Sequence, residues 1–290
     1  MSPLGPTGTT RLAAVIGSPV RHSRSPVLAN AAFGGAGLDW TLVALEVEPG
    51  RGAAAVDAAR TLGIGGLMVT MPHKADVIAA LDRLTPTASA LGAVNSVAWD
   101  GDELVGDNTD GLGLVASLRV DEGIDLAGRR CVLFGAGGAA RSVARALGQS
   151  GAIDVAVVNR TRANAEVAAA LAGPVGRVGD AHDVTDADLV VNASSVGMGA
   201  DENAAGPLPV GAELLRPTQV VVDLVYEPLR TPLLTVAASC GARSVDGLGM
   251  LVHQAALSIR RWTGVEADVA AMAAAARRPT SVAPGRTVPG

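Results

Sequence analysis

Aromatic residues make up only 2% of this 290-residue chain: two Phe, three Trp and one Tyr. Its core must therefore be filled by Ala, Val, Leu and Ile. Cysteine is scarce too. Cys131 and Cys240 sit in or beside apolar segments without metal-ligand spacing, which predicts reduced core residues. The four histidines form no H-x-x-x-H pair and no Cys/His cluster, so no metal site is expected. No apolar run approaches the roughly 20 residues of a membrane span, and Met1–Thr10 lacks the basic and apolar regions of a signal peptide. With 23 Lys and Arg against 28 Asp and Glu, the net charge of −5 has the wrong sign for a nucleic-acid surface. These absences predict a cytoplasmic protein that works on small molecules, with no nucleic-acid or membrane partner; a monomer or homodimer is the separate expectation for its assembly.

Strand and helix patterns alternate from end to end, which indicates an α/β protein with parallel sheets. Strand-like runs cover Arg11–Ile16, Trp40–Val47, Gly66–Thr70, Val94–Trp99 and Glu103–Val105; Asp100-Gly101 is a hairpin signal between the last two. Ser25-Pro26 reads as N-cap and first residue of a helix to about Gly34. Further strands are expected at Leu189–Asn192, Val220–Leu224 and Ala242–Val245, with a helix over Thr231–Cys240. Two Ala-rich helices, Leu248–Thr263 and Glu266–Arg277, close the pattern. The layout predicts an N-terminal α/β substrate domain (residues 11–109), a Rossmann dinucleotide-binding domain (110–247), and C-terminal helices (248–278) returning to the first domain. Residues 1–10 and 279–290 are too poor in apolar side chains to bury much and are expected to be flexible.

One stretch points to a cofactor. Cys131–Phe134 is a short apolar run suited to a buried parallel strand, and Gly135-Ala136-Gly137-Gly138-Ala139-Ala140 follows at once. A helix from Arg141 to Gln149 and a second apolar run, Val155–Val158, complete a βαβ unit carrying the G-x-G-x-x-A dinucleotide fingerprint. Asn159-Arg160-Thr161 closes the second strand. An NAD enzyme usually offers the ribose an acid here, whereas an arginine suits the additional phosphate of NADP.

Polar clusters stand at the strand ends, where α/β folds place ligands. Ser23 and Ser25 alternate before a helix and could bind a small anion, although a helix cap alone explains Ser25-Pro26. Val69-Thr70-Met71-Pro72-His73-Lys74 presents a Thr hydroxyl and a Lys whose proton affinity a site can tune; most lysines are simply solvated. Asn95 offers an amide that both donates and accepts. Asp110, in Gly106-Asp107-Asn108-Thr109-Asp110-Gly111, is either a helix cap or a working carboxylate. Gly247-Leu248-Gly249 precedes a helix bearing Gln254. In the cofactor half, Ser194 and Met198 follow a buried strand as a nicotinamide-side loop should, and Tyr226 follows another.

Taken in order, these clusters resemble the shikimate dehydrogenase family from about Arg11 to Gln254. The resemblance rests on the paired serines, Val69-Thr70-x-Pro72-x-Lys74, Gly92-Ala93-Val94-Asn95, Asn108-Thr109-Asp110-Gly111, Gly135-Ala136-Gly137-Gly138-Ala139, Asn159-Arg160-Thr161 and Gly249-Met250-Leu251. It implies reversible, NADPH-dependent reduction of 3-dehydroshikimate to shikimate, a step towards chorismate and the aromatic amino acids. It implies Lys74 and Asp110 as the catalytic pair. Ser23 and Ser25 would hold the substrate carboxylate, Thr70, Asn95, Asp110 and Gln254 the ring hydroxyls, and Tyr226 would line the same cleft. NADP would be held by Gly135, Ala136, Gly137, Gly138, Ala139, Asn159, Arg160, Thr161 and Arg162, with Ser194, Met198 and Gly247. Three positions depart from the family pattern. Ala29-Asn30 stands where His-Asn is frequent, Ser96 where Thr is common, and Asn164 where a second basic residue often lies; Arg162 is the nearest substitute. An NAD-dependent quinate/shikimate dehydrogenase is the alternative, which an acid beside Asn159 would favour. A non-catalytic NADP-binding sensor should have lost Lys74 or Asp110, and both are present.

Overall fold

The computed structural model describes residues 5–199 and 206–278. Within them the apolar runs form two six-stranded sheets. The first contains β1 (Arg11–Gly17), β2 (Trp40–Glu46), β3 (Gly66–Val69), β4 (Arg83–Leu84), β5 (Ser96–Asp100) and β6 (Glu103–Asp107), in the order β2-β1-β3-β5-β6-β4. This sheet is mixed, not parallel throughout as the alternating pattern suggests. β1 runs parallel to β2 and β3, while β5 is antiparallel to both β3 and β6. The Asp100-Gly101 turn is the reason: it folds β5 and β6 into a hairpin, so one of them must run against the rest. The reversal has a functional consequence, because it brings the start of β5 to the edge where β1, β3 and β6 end.

The second sheet is wholly parallel: β7 (Arg130–Phe134), β8 (Asp154–Val158), β9 (Gly176–Val178), β10 (Leu189–Asn192), β11 (Val220–Asp223) and β12 (Arg243–Val245), ordered β12-β11-β10-β7-β8-β9. The order reverses between β7 and β10, which opens a crevice outside their carboxyl ends. β4 and β9, with two and three residues, are too short to leave a periodic trace in the sequence.

The helices are α1 (Ser25–Gly35), α2 (Gly52–Thr61), α3 (Pro86–Leu91), α4 (Asp110–Ala116), α5 (Gly138–Gln149), α6 (Arg162–Ala170), α7 (Pro232–Ser239), α8 (Leu248–Thr263) and α9 (Val269–Ala276). α5 starts at Gly138, three residues before the periodic pattern suggests, so the glycine loop is itself the helix entrance. Ser25 is the first residue of α1 and not its cap; Arg24 holds the cap position, and the Ser23 hydroxyl accepts from the Ser25 N–H at 3.2 Å. At the N-terminus, the Thr9 and Thr10 hydroxyls donate to Asp39 at 2.9 and 2.7 Å, so the segment before β1 is tied to the start of β2. Residues 1–4 and 279–290, expected from composition to be flexible, lie outside the described residues.

α8 and α9 return to the first lobe. Leu248, Val252, Ala255, Ile259, Met272 and Ala276 pack with Leu28 and Phe33 of α1 and with Val15 and Met68 of the sheet. The second lobe has a core of Ala, Val and Leu around Leu133, Leu147 and Leu189, as the shortage of aromatics requires. Both cysteines are unpaired, and burial pushes the Cys131 thiol up to about 12. No helix among the described residues is long and apolar enough to cross a membrane.

α4 lies between the lobes and is gripped from both sides. A Cβ on Gly111 would strike the Ser142 carbonyl of α5, and one on Gly113 would come within 2.7 Å of the Gln254 Cβ on α8. Only hydrogen fits at either place. Gly111→Ala is therefore expected to destabilise the fold by about 1–3 kcal/mol, the range for overpacking, measured by urea denaturation. It should also lower turnover, because α4 begins with Asp110.

Candidate active site

Four backbone segments converge at one edge of the first sheet. Thr70 N–H donates to the Ile16 carbonyl at 2.9 Å and Ser18 N–H to that of Met71 at 2.9 Å. Val69 N–H donates to Asn95 at 2.8 Å, and Asn95 N–H to Asp107 at 3.0 Å. These bonds set the loops bearing Ser23, Lys74, Asn95 and Asp110 side by side.

The Lys74 Nζ donates to Asp110 Oδ2 at 2.5 Å. The other oxygen, Oδ1, accepts from Asn95 Nδ2 at 2.7 Å. Asp110 is thus the first residue of α4, with its carboxylate committed to a lysine and an amide; it does not cap the helix. Asn95 Nδ2 also approaches Gln254 Oε1 at 3.2 Å and Thr109 Oγ1 at 3.0 Å, while its Oδ1 accepts from Thr109 N–H at 2.8 Å. Gln254 is fixed by donating through Nε2 to the Leu251 carbonyl at 3.0 Å. The loop beneath is held by Asp107, which accepts from Arg261 at 2.6 Å and from Thr85 at 2.6 Å. His73 is fully buried and reaches the Val47 carbonyl through Nε2 at 2.8 Å, anchoring the turn that presents Lys74.

The second lobe supplies the facing wall. A cleft of about 280 Å³ is lined by Ser23, Ser25, Thr70, Lys74, Asn95, Asp110 and Gln254 from the first-lobe side and α4. Ala139, Ser194, Met198, Tyr226 and Gly247 line it from the other. Behind that wall, fully buried Asp223 accepts from Thr231 at 2.7 Å and from Asn192 at 2.9 Å, tying the exits of β10 and β11 together. Burial pushes the Asp223 carboxyl above the usual range, against three donors that pull it down.

Gly135, Ala136, Gly137 and Gly138 lie at the end of β7, and Asn159, Arg160, Thr161 and Arg162 at the end of β8, outside that cleft but on the same edge of the sheet. Their arrangement fits a dinucleotide. Gly135 has φ +112° and sits against the Ala193 carbonyl, a conformation closed to other residues. A Cβ on Gly137 would meet nothing within 4 Å, so there is room above the entrance of α5. No side chain caps that entrance and no acid occupies its first turn, which leaves its N–H groups free for a phosphate. Lys74 Cδ would lie 3.5 Å from a Cβ on Gly138, so the lysine stem runs beside the entrance of α5. Arg160 is exposed and has no carboxylate partner among the described residues, whereas Arg162 pairs with Glu166 at 3.1 Å.

Comparison with known proteins agrees with this geometry. Residues 15–97 match the Shikimate dehydrogenase substrate binding domain, residues 116–198 the Shikimate / quinate 5-dehydrogenase family, and residues 247–277 the Shikimate 5'-dehydrogenase C-terminal domain. The NADP(+) shikimate dehydrogenase of Geobacter metallireducens is 44% identical over 271 residues, covering 90% of this chain and 93% of its own. The chain belongs to the shikimate dehydrogenase family. Among solved structures, shikimate 5-dehydrogenase of Thermus thermophilus in complex with NADP(H) and shikimate has a TM-score of 0.85 at 36% identity, covering 92% of this chain and 99% of that one. Quinate dehydrogenase of Corynebacterium glutamicum in complex with NAD has a TM-score of 0.81 at 31% identity, covering 92% and 98%.

Three contributors to the site escaped the sequence reading as individual residues. Thr109 joins Asn95 to the Gln254 carbonyl, and only its place in the Asn108-Thr109-Asp110-Gly111 motif hinted at it. Asp223 and Arg24 stand inside the strand-exit segments that carry Tyr226 and the serine pair, but their roles left no local signal, since burial and partners elsewhere in the chain define both. Asn95→Ala should strip partners from Asp110 Oδ1, Gln254 and Thr109 together. A loss of about 1–3 kcal/mol is expected for these buried groups, seen as a lower denaturation midpoint.

Proposed function

We propose that this chain catalyses the reversible reduction of 3-dehydroshikimate to shikimate with NADPH, using Lys74 and Asp110 as the working pair. The observation that carries the reading is the 2.5 Å contact between Lys74 Nζ and Asp110 Oδ2 in a cleft shared with Ser23 and Ser25. The bound nicotinamide supplies hydride to the ring carbonyl carbon. The carbonyl oxygen then needs a proton and a counter-charge. The Lys74 ammonium donates to that oxygen, stabilises the growing alkoxide and hands over a proton, which solvent restores. Asp110 aims the ammonium and accepts from a neighbouring ring hydroxyl.

At the far end, the Ser23 and Ser25 hydroxyls donate to the substrate carboxylate, and Thr70 and Gln254 engage ring hydroxyls. Tyr226, half-buried among Arg24 and Glu227, closes that end. Asn95 contributes chiefly by holding Asp110 and Gln254, because its amide donors already point at both. Arg160, uncommitted to any described carboxylate, pairs with the 2′-phosphate and stacks on the adenine side. Hydride transfer works best with reacting atoms near 3–3.5 Å and water excluded, so the two lobes are expected to close on their ligands. In the oxidative direction the roles reverse: Lys74, having lost a proton to solvent, would accept the hydroxyl proton as hydride leaves the ring carbon for the oxidised nicotinamide, with Asp110 holding the amine in place. A biosynthetic role towards chorismate is consistent with the reductive one.

The deciding assay follows absorbance at the nicotinamide band with shikimate and NADP⁺, set beside quinate and NAD⁺. Shikimate with NADP⁺ should have the highest kcat/KM; preference for quinate with NAD⁺ would favour the alternative reading, and no turnover with binding retained would indicate a sensor. Lys74→Ala should lower kcat by about 10²–10⁴-fold, as expected for a lost general acid, with near-normal turnover refuting its role. Arg160→Ala should shrink the preference for NADPH over NADH by about tenfold or more, on the scale of a lost charge-assisted pair; an unchanged ratio removes that assignment.

A further inference from the structure

Arg24 stands between the two serines, yet it does not line the cleft and its side chain is 9% exposed. Its Nη1 donates to the carbonyl of Ala276, the last residue of α9, at 2.6 Å. Its Nη2 donates to Glu227 Oε2 at 2.8 Å, on the segment that follows β11 in the second lobe. One guanidinium therefore joins the start of α1, the end of α9 and the opposite wall. Leu229, two residues beyond Glu227, packs against the first-lobe core. The Glu227 carbonyl accepts from Gly199 N–H at 3.0 Å, and Gly199 directly follows Met198 in the segment after β10 that also carries Ser194. An unbroken series of bonds runs from the serine pair, through Arg24 and Glu227, to the cofactor-side loop.

The chemistry of the pair explains its weight. A buried cation is costly unless its N–H groups find acceptors; the planar fork of Arg24 finds two, through Nη1 and Nη2, while its Nε is left without one among the described residues. An ordinary surface pair would count for little. Here one partner is buried, so loss of Glu227 leaves a desolvated charge short of an acceptor. The field of Arg24 reaches Tyr226, whose phenol is pushed up by burial and pulled back by the guanidinium.

We propose that Arg24 and Glu227 form a clamp across the lobes that couples occupancy of the Ser23/Ser25 end to the placement of loop 193–199. The proposal rests on the shikimate dehydrogenase reading above, and both members are positioning residues. An anion held by Ser23 and Ser25 steadies residues 23–25, hence the guanidinium, hence Glu227 and the loop hydrogen-bonded to it. Coupling of this kind is reciprocal: each ligand tightens the other by the same factor.

The test is an equilibrium titration of the full chain with NADP⁺, with and without saturating shikimate. In the native protein shikimate should tighten NADP⁺ binding by about fivefold or more, the lower end of typical coupling. Glu227→Gln alters a half-exposed side chain and keeps its shape, and should bring the factor to within about twofold of unity. Arg24→Lys should do the same; if that buried substitution fails to fold, Glu227→Gln decides alone. A native factor of one, or a Glu227→Gln protein with the native factor, overturns the clamp. Native protein that oxidises shikimate normally but shows no coupling defeats the clamp alone, whereas native protein with no such turnover defeats the underlying functional reading.

Discussion

The ion pair between Lys74 and Asp110 depends on how closely α4 can be pressed between its neighbours. Lys74 hangs from a turn of the first lobe, while Asp110 opens a helix whose body packs in the core of the second through Leu114 and Val115, with Leu118 of the turn that follows it. The carboxylate meets the ammonium only if α4 sits tightly against α5 and α8 at once. Gly111 and Gly113 make that possible by removing the side chains that would hold the helices apart. A packing constraint, not a local turn, thus places the reactive groups.

A second layer of interactions protects that geometry. Asn95, Thr109 and Gln254 form a largely buried amide and hydroxyl network on the inner side of Asp110, of which Asn95 and Gln254 reach the cleft. In a low-dielectric setting such a network is favourable only when its groups satisfy each other, and it then admits few alternative arrangements. The equivalent in the second lobe is the Asn192–Asp223–Thr231 set at the exits of β10 and β11. The cleft therefore lies between two walls, each stiffened by its own buried polar cluster.

The composition shapes this design. With so few aromatic rings, the second lobe relies on small aliphatic side chains, which allow helices to approach sheets closely but give each contact little area. Phe134 of β7 lies in the second-lobe core, and the other large rings serve where the first lobe needs bulk: Phe33 packs on Trp40 with centroids 5.6 Å apart, and Trp262 donates to the Val97 carbonyl at 2.9 Å. Tyr226 stands apart from both cores, on the wall of the cleft.

Much of this was legible in the linear chain, because some information is carried by neighbours in sequence. The glycine loop between β7 and α5, the Arg160 at the end of β8 and the hairpin turn at Asp100-Gly101 are local patterns, so residue order alone determined them. Whether Asp110 was a cap or a partner for Lys74 could not be read that way, since 36 residues separate the two. The reversed direction of β5, the brevity of β4 and β9, and the role of Arg24, bonded to residues 203 and 252 positions away, were likewise left to tertiary structure. Periodicity and turn chemistry report on a segment and its own backbone. Burial, ion pairing and close helix contact depend on which distant segments arrive beside it, and only the folded arrangement of the two lobes decided that.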